Sequence, residues 1–357
     1  MYKSIIIKIG SNVLTKDDGT LHDQRVSHLV DQIAQLHDRN KKIILVSSGA
    51  VAAGRSMVQV HKKTDTVSSR QLLSSVGQVK LLNTYSTQFE KHHIQCAQVL
   101  VTKQDFRSRE HYLNMKNCLS TLWDNDIVPI INENDAVSVT ALMFTDNDEL
   151  AGLLATMMNS EALFILSNIN GIYNGNPDKK DTQVIRTIDS AHTDLSAYIS
   201  TTKSNFGRGG MLTKCKIAQK TAASGISVHI ANGTIKNILI DLNNAPKKVE
   251  HTHFTKGEKY PAVKKWMAYS EAFANAQVYI NQGAMEALNS EKATSLLLAG
   301  VTHMQGNFKK GDLLKIMSED GKAIGIGRAK YDRSKADEHL HDNKYQPLIH
   351  YDYLYLF

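Results

Sequence analysis

Short apolar runs recur along the first two thirds of the chain, each separated from the next by a stretch with helical spacing. Ser4 to Ile9 predicts a strand that stops at the turn Gly10-Ser11-Asn12. Val26, Leu29, Val30, Ile33 and Leu36 then recur at the spacing of an amphipathic helix starting near Arg25. Ile43 to Val46 predicts a buried strand ending at Ser47-Ser48-Gly49-Ala50, with a helix following over Val51 to Met57. A long helix is expected from Ser69 to His92, a strand from Ile94 to Val101 and a helix from Glu110 to Asn125. The next strand begins at Ile127, and a further helix opens at Asp148 and runs to Met158. Ala162 to Leu166 reads as a strand, Met211 to Ala223 as a helix and Ile226 to Ile230 as a strand. Such alternation predicts a largely parallel sheet covered by helices on both faces.

The pattern changes near Asp241. Asn243 to Pro261 is polar and reads as a linker, and beyond Trp266 the segments shorten. Ala276 to Ile280, Ser295 to Leu298, Leu313 to Met317 and Ala323 to Ala329 are expected strands, punctuated by glycines. Tyr351 to Phe357 is an expected closing strand. The division that follows is an α/β domain over residues 1–250, a linker over 251–265 and a small β-rich domain over 266–357.

Composition narrows the class. Of 357 residues, 42% are hydrophobic and 22% charged, ordinary values for a globular protein. No apolar run approaches the ~20 residues of a membrane-spanning helix, so no membrane partner is expected. The N-terminus MYKSIIIKIG has a lysine inside its apolar run and no small-residue cleavage site, so it reads as a first strand rather than a signal peptide. Cys96, Cys118 and Cys215 lack metal-ligand spacing and read as free thiols of a cytoplasmic protein. A net charge of +7 permits anionic ligands without requiring nucleic acid.

The densest chemistry follows the strand at Ile127. Asn132-Glu133-Asn134-Asp135 ends it, and Asp146-Asn147-Asp148-Glu149 lies in the same loop. Ligands of open α/β sheets bind outside the carboxyl ends of strands. Clustered carboxylates repel unless cations balance them, so a substrate ammonium, a metal ion or lysines from elsewhere should come here. Three other turns carry suitable groups. Lys8-Ile9-Gly10-Ser11 ends the first strand, although a lone lysine there also suits a solvated edge. Ser47-Ser48-Gly49-Ala50 opens a helix whose N–H groups could take an anion, or in which serine simply caps. Phe206-Gly-Arg-Gly-Gly-Met-Leu-Thr-Lys214 frees the backbone to wrap phosphates, or forms a plain glycine loop. No GxxxxGK[ST], HExxH, GxSxG or strand-borne GxGxxG is present. His92, His93, His339 and His341 read as exposed surface. Lysines, glycine-rich donors and a carboxylate cluster together fit phosphoryl transfer, where positioning and charge neutralisation dominate.

At these residues the chain resembles the glutamate 5-kinases of the amino acid kinase family over nearly its whole length. The matching stretches are KIGSNVLT at Lys8, SSGAVAAGR at Ser47, QLLSSVGQ at Gln71, VPIINENDAV at Val128, TDNDEL at Thr145, NGIY at Asn170 and GGMLTK at Gly209. The tail is similar to a PUA domain in WMAYSEAFANAQVYINQGAMEAL, LLLAGVTHMQGNF, KKGDLLKI and GRAKYD. The resemblance implies a three-layer α/β/α sandwich of the amino acid kinase type, followed by a small β-barrel PUA-like domain. It implies phosphorylation of the γ-carboxylate of L-glutamate by ATP, the first step of proline biosynthesis, with Mg²⁺ bound through ATP and no protein side chain as metal ligand. Lys8 and Lys214 would neutralise the transferring group and Asp148 would orient them. Ser48, Asp135 and Asn147 would hold glutamate, with Asn132 nearby and Asp146 in the same network. Lys8, Ser167, Asn168, Arg208, Gly209, Gly210, Met211, Leu212, Thr213 and Lys214 would hold the nucleotide. A homodimer or homotetramer is implied, as is feedback inhibition by proline, for which Val137 to Phe144 is the expected place.

The chain departs from the family pattern at Ser167-Asn168, where Thr-Asp is usual, at Arg208, where a small residue is common, and at His251-Thr-His-Phe254 in place of Gly-Thr-x-Phe. Acetylglutamate, aspartate, carbamate and nucleoside monophosphate kinases share the fold, but the PUA-like tail sets this chain apart from them. RNA binding by that tail, beside an inactive kinase half, is the competing reading from another class.

Overall fold

The computed structural model describes residues 1–61, 64–106, 109–138, 144, 146–175, 182–189, 211–257, 274, 276–290, 294–340, 342 and 344–356. The chain divides into two compact units, Met1–Lys259 and Tyr260–Phe357.

The first unit is built on an eight-stranded sheet. Its strands are β1 (Ser4–Ile9), β2 (Lys42–Ser47), β3 (Cys96–Val101), β4 (Val128–Glu133), β5 (Ala162–Ser167), β6 (Thr187–Asp189), β7 (Ser227–Asn232) and β8 (His251–Thr255). They lie in the order β3-β4-β2-β1-β5-β7-β8-β6, and every pairing is parallel except β7 with β8. The helices are α1 (Ser11–Leu14), α2 (Asp23–His37), α3 (Ala50–Arg55), α4 (Thr66–Glu90), α5 (Arg109–Asp124), α6 (Asn147–Met157), α7 (Met211–Ala223) and α8 (Ile238–Asn244).

The central strand explains the layering. Ile5, Ile6, Ile7 and Ile9 are fully buried, as a strand covered on both faces requires. Ile5, Ile7 and Ile9 join a core with Val26, Leu29 and Ile33 of α2, Leu81, Tyr85 and Phe89 of α4 and Leu239 of α8. Successive side chains of a strand alternate faces, so Ile6 and Lys8 point to the other side. There α6 packs against β1 and α7. Every residue of α6 from Leu150 to Met157 is buried, which is why its sequence is apolar all round.

Some expectations need correcting. His251–Thr255, read as linker, is β8, with Thr252 and Phe254 wholly buried. Its polar composition hides a strand that pairs with β7 on one edge and β6 on the other. The short β6 was not foreseen either. The division between units falls after Lys259, and residues 258–265 of the expected linker lie outside the described residues.

The second unit carries a five-stranded sheet in the order β10-β9-β11-β12-β13. Its strands are β9 (Ala276–Ile280), β10 (Val301–Gln305), β11 (Leu313–Ser318), β12 (Ala323–Ala329) and β13 (Ile349–Leu356). β9 and β11 pair in parallel and the other neighbours are antiparallel. The strand expected at Ser295 to Leu298 is absent. Leu298–Gly300 is a 3₁₀ turn, Leu296 makes one isolated bridge to Ile349, and the strand begins at Val301. Leu296 and Leu298 are buried and Leu297 between them is exposed, but all three are leucines, so the sequence pattern cannot separate strand from turn there. No helix among the described residues is long and apolar enough to cross a membrane.

Candidate active site

The carboxyl ends of β1, β2, β4 and β5 and the first turns of α6 and α7 supply the candidate residues. Alternation directs Lys8 to the α6 face, where its Nζ lies 2.6 Å from Asp148 Oδ1. Lys214, in the first turn of α7, binds the other oxygen, Asp148 Oδ2. Asp148 has no exposed surface and Lys8 is 4% exposed. α6 begins where it does because the Asp146 side chain caps it, accepting from Asp148 N at 2.8 Å and Glu149 N at 3.2 Å.

The electrostatics follow from this geometry. Burial alone would raise the Asp148 carboxyl, but Lys8 and Lys214 outweigh it and bring it down to about 2. Burial lowers the Lys8 ammonium, and Asp148 only partly restores it against the repulsion of Lys214. Lys214 is also opposed by burial, yet Asp148 and Asp146 raise it. Asp146 is raised, by burial and then by Asp148, and its Oδ2 is buried without a hydrogen-bond partner.

Beside this triad lies a cluster of carboxamides. Asn147 Nδ2 donates to Ser48 Oγ at 3.0 Å and to Asn132 Oδ1 at 2.9 Å. Ser48 is held at the turn after β2, where its N–H donates to Ile9 O at 3.2 Å, and Gly49 takes a left-handed φ of 111° to open α3. Lys8, Ser48, Asn132, Asp146, Asn147, Asp148 and Lys214 are thus brought together. Asp135 has a different partner: its Oδ1 pairs with Arg70 of α4 at 2.7 Å. Ser167 and Asn168 stand at the end of β5, with Ser167 Oγ 3.4 Å from Asn168 Oδ1. Met211, Leu212, Thr213 and Lys214 form the first turn of α7, whereas Arg208, Gly209 and Gly210 lie outside the described residues. So do residues 139–143 of the expected proline-responsive loop.

Sequence reasoning missed the contributions of α4 and Glu133. Asn132 Nδ2 donates to Gln78 Oε1 at 3.0 Å, and Gln71 Nε2 to Ala136 O at 2.8 Å. Gln71 and Gln78 begin and end the matched QLLSSVGQ stretch, the one available signal. Glu133 is buried, accepts from Phe144 N at 2.8 Å, and burial raises its carboxyl to about 7.

Residues 3–232 match the amino acid kinase family, and residues 276–343 match the PUA domain. A glutamate 5-kinase of Bacteroides thetaiotaomicron is 51% identical over 356 residues, covering 99% of each chain. That of Chlorobaculum tepidum is 46% identical, covering 100% of this chain and 98% of its own. Among solved structures, carbamate kinase from Giardia lamblia bound to AMP-PNP superposes with a TM-score of 0.51 at 19% identity, over 71% of this chain and 99% of that one. An isopentenyl phosphate kinase substrate complex gives 0.52 at 14%, over 71% and 100%. At such identities these two structures speak for the fold alone. Two conserved-length relatives and both domain matches agree: the chain belongs to the glutamate 5-kinases of the amino acid kinase family, with a PUA domain behind the kinase domain.

Proposed function

We propose that this enzyme transfers the γ-phosphoryl group of ATP to the side-chain carboxylate of L-glutamate, giving L-glutamyl 5-phosphate, the first step of proline biosynthesis. The observation that carries this reading is Asp148, buried and holding a different lysine on each oxygen. A γ-carboxylate with pKa ~4.3 is already ionised at neutral pH, so no general base is needed. The barrier is the approach of two anions. Lys8 and Lys214 neutralise charge on the transferring group, and Asp148 fixes both ammonium groups beforehand, so no reorganisation is needed as charge develops. Ser48, Asn132 and Asn147 hold the amino acid. Asp135 takes the α-ammonium, in competition with or alongside Arg70.

Each oxygen of Asp148 already faces a lysine ammonium, whose charge disfavours a metal ion beside it. Mg²⁺ would arrive on the nucleotide phosphates, and Asp146, with its orphaned buried Oδ2, is the side chain suited to meet its water shell. Bound there, the ion would draw charge from the phosphoryl oxygens. Ser167, Asn168 and the turn through Lys214 hold the nucleotide, and proline acts as feedback inhibitor.

The test is coupled ADP release by the purified chain. Turnover should require both L-glutamate and Mg²⁺ and fall when proline is added. ADP release indifferent to L-glutamate, or faster with N-acetylglutamate, aspartate or carbamate, removes this reading.

A further inference from the structure

Four side chains form a continuous hydrogen-bond chain from α4 to the turn after β2. Gln78 Oε1 accepts from Asn132 Nδ2, Asn132 Oδ1 accepts from Asn147 Nδ2, and Asn147 Nδ2 also donates to Ser48 Oγ, at 3.0, 2.9 and 3.0 Å. The direction of this chain is imposed by the backbone. The Glu133 N–H, which can only donate, reaches Asn132 Oδ1 at 2.9 Å. That contact fixes which end of the Asn132 carboxamide is oxygen. Its amino group must then face α4, where only an acceptor satisfies it. Both protons of Asn147 Nδ2 are engaged, so Asn147 presents Oδ1 as an acceptor. Ser48 Oγ accepts a hydrogen bond from Asn147, so its own proton remains to be donated.

Gln78 sits on a rigid support. A Cβ added at the adjacent Gly77 would lie 1.8 Å from Ala50 O and 2.4 Å from Gly54 N. One added at Gly54 would lie 2.0 Å from Leu73 O. α3 and α4 therefore cross backbone against backbone, and the helix that follows Ser48 is locked to the helix that bears Gln78. Further along α4, Tyr85 Oη lies 2.8 Å from Ser47 Oγ, a second tie to the same turn.

We propose that Gln78 is a specificity-determining positioning residue, a role that rests on the glutamate reaction proposed above. As the terminal acceptor, it satisfies the amino group of Asn132 and so steadies the orientation, set by the Glu133 N–H, that offers a hydroxyl donor at Ser48 and a carbonyl acceptor at Asn147. That pair suits a substrate carrying both a carboxylate and an ammonium group. Gln78 acts through Asn132.

Three substitutions separate polarity from packing. Gln78→Glu retains the acceptor, Gln78→Leu retains only bulk, and Gln78→Lys offers only donors. The Glu variant should keep a near-wild-type KM for L-glutamate. The Leu and Lys variants should raise it about tenfold, the scale of one hydrogen bond's worth of affinity. KM for ATP should stay unchanged in all three. A glutamate KM that is the same in the Glu, Leu and Lys variants overturns the proposal. So does an equal rise for both substrates. A wild-type chain without glutamate-dependent turnover removes the reaction instead. Even then, hydrogen exchange of the Asn132 carboxamide, followed by NMR without substrate, tests the anchoring: slow in wild type and Gln78→Glu but fast in Gln78→Leu supports it, and equal rates overturn it.

Discussion

Asp148 stays ionised without any exposed surface because two ammonium groups reach it from different elements. A buried carboxylate costs several kcal/mol unless paired, so the three residues are stable only as a set. In the transfer proposed above, each lysine would supply charge the other cannot replace. Lys8→Ala and Lys214→Ala should each lower kcat ~10²–10³-fold, on the scale of removing one preorganised charge or donor. Steady-state rates with both substrates saturating check this, and a wild-type kcat in either variant contradicts the assigned role. Glu133 invites a pH test. Its carboxyl is raised from the ordinary 4.5 to about 7 because burial disfavours the charge. The folded chain therefore binds this proton more tightly than the unfolded chain. Its contribution to stability is full below about pH 4.5 and is lost as pH rises through about 7. Glu133→Gln should remove that slope, read as denaturation midpoints of wild type and variant at about pH 5 and about pH 8. Residues in strand-end turns were legible in the sequence: Lys8, Ser48, Asn132, Asn147 and Asp148 all stood out. Arg70 and Gln78 did not, because polar residues on a long helix look like a solvated face.

At the scale of elements, α6 and α7 were readable for physical reasons that act locally. α7 opens at Met211, where the glycine run ends, and α6 opens behind an aspartate cap. β8 was not readable, since its histidine and threonine residues resemble a linker until β7 and β6 pair with them. The crossing of α3 and α4 was equally hidden. Nothing local to Gly54 or Gly77 says that another backbone lies within touching distance. Gly77→Ala should destabilise the first unit by ~1–3 kcal/mol or more, because the new methyl group meets a backbone carbonyl that cannot move aside. A lower unfolding midpoint in urea checks this, and an unchanged midpoint contradicts the crossing.

At the scale of the molecule, a histidine cluster joins distant parts of the chain. His229 of β7 stacks on His253 of β8 with ring centroids 4.3 Å apart, and His251 lies 5.1 Å from His229. Tyr2 Oη, before β1, lies 2.8 Å from His229 Nε2. Burial lowers all three imidazoles, and their mutual repulsion lowers His229 and His253 further; near His251, Arg186 acts in the same direction. Glu161, facing Tyr2, and Glu250, paired with Arg186 at 3.8 Å, are the acidic groups nearby. The unfolded chain takes up these protons more readily, so stability should fall as pH drops below about 6.5. The sign is opposite to that of Glu133, so each needs its own variant. His229→Phe should flatten the acid limb of a Tm-against-pH profile, and an unchanged acid limb contradicts the assignment.

The sequence by itself determined the alternating sheet architecture, the change to a small β-rich unit, and the turns that bear the chemistry. Each depends on periodicity, capping or backbone freedom within a few residues, and those are local properties. Only the tertiary structure decided that Asp148 meets Lys214 across 66 positions, that Arg70 pairs with Asp135 across 65, and that Gln78 anchors Asn132 across 54. Such contacts follow from strand order and helix crossing. They are set by how whole elements close over one another, which no neighbouring residue records.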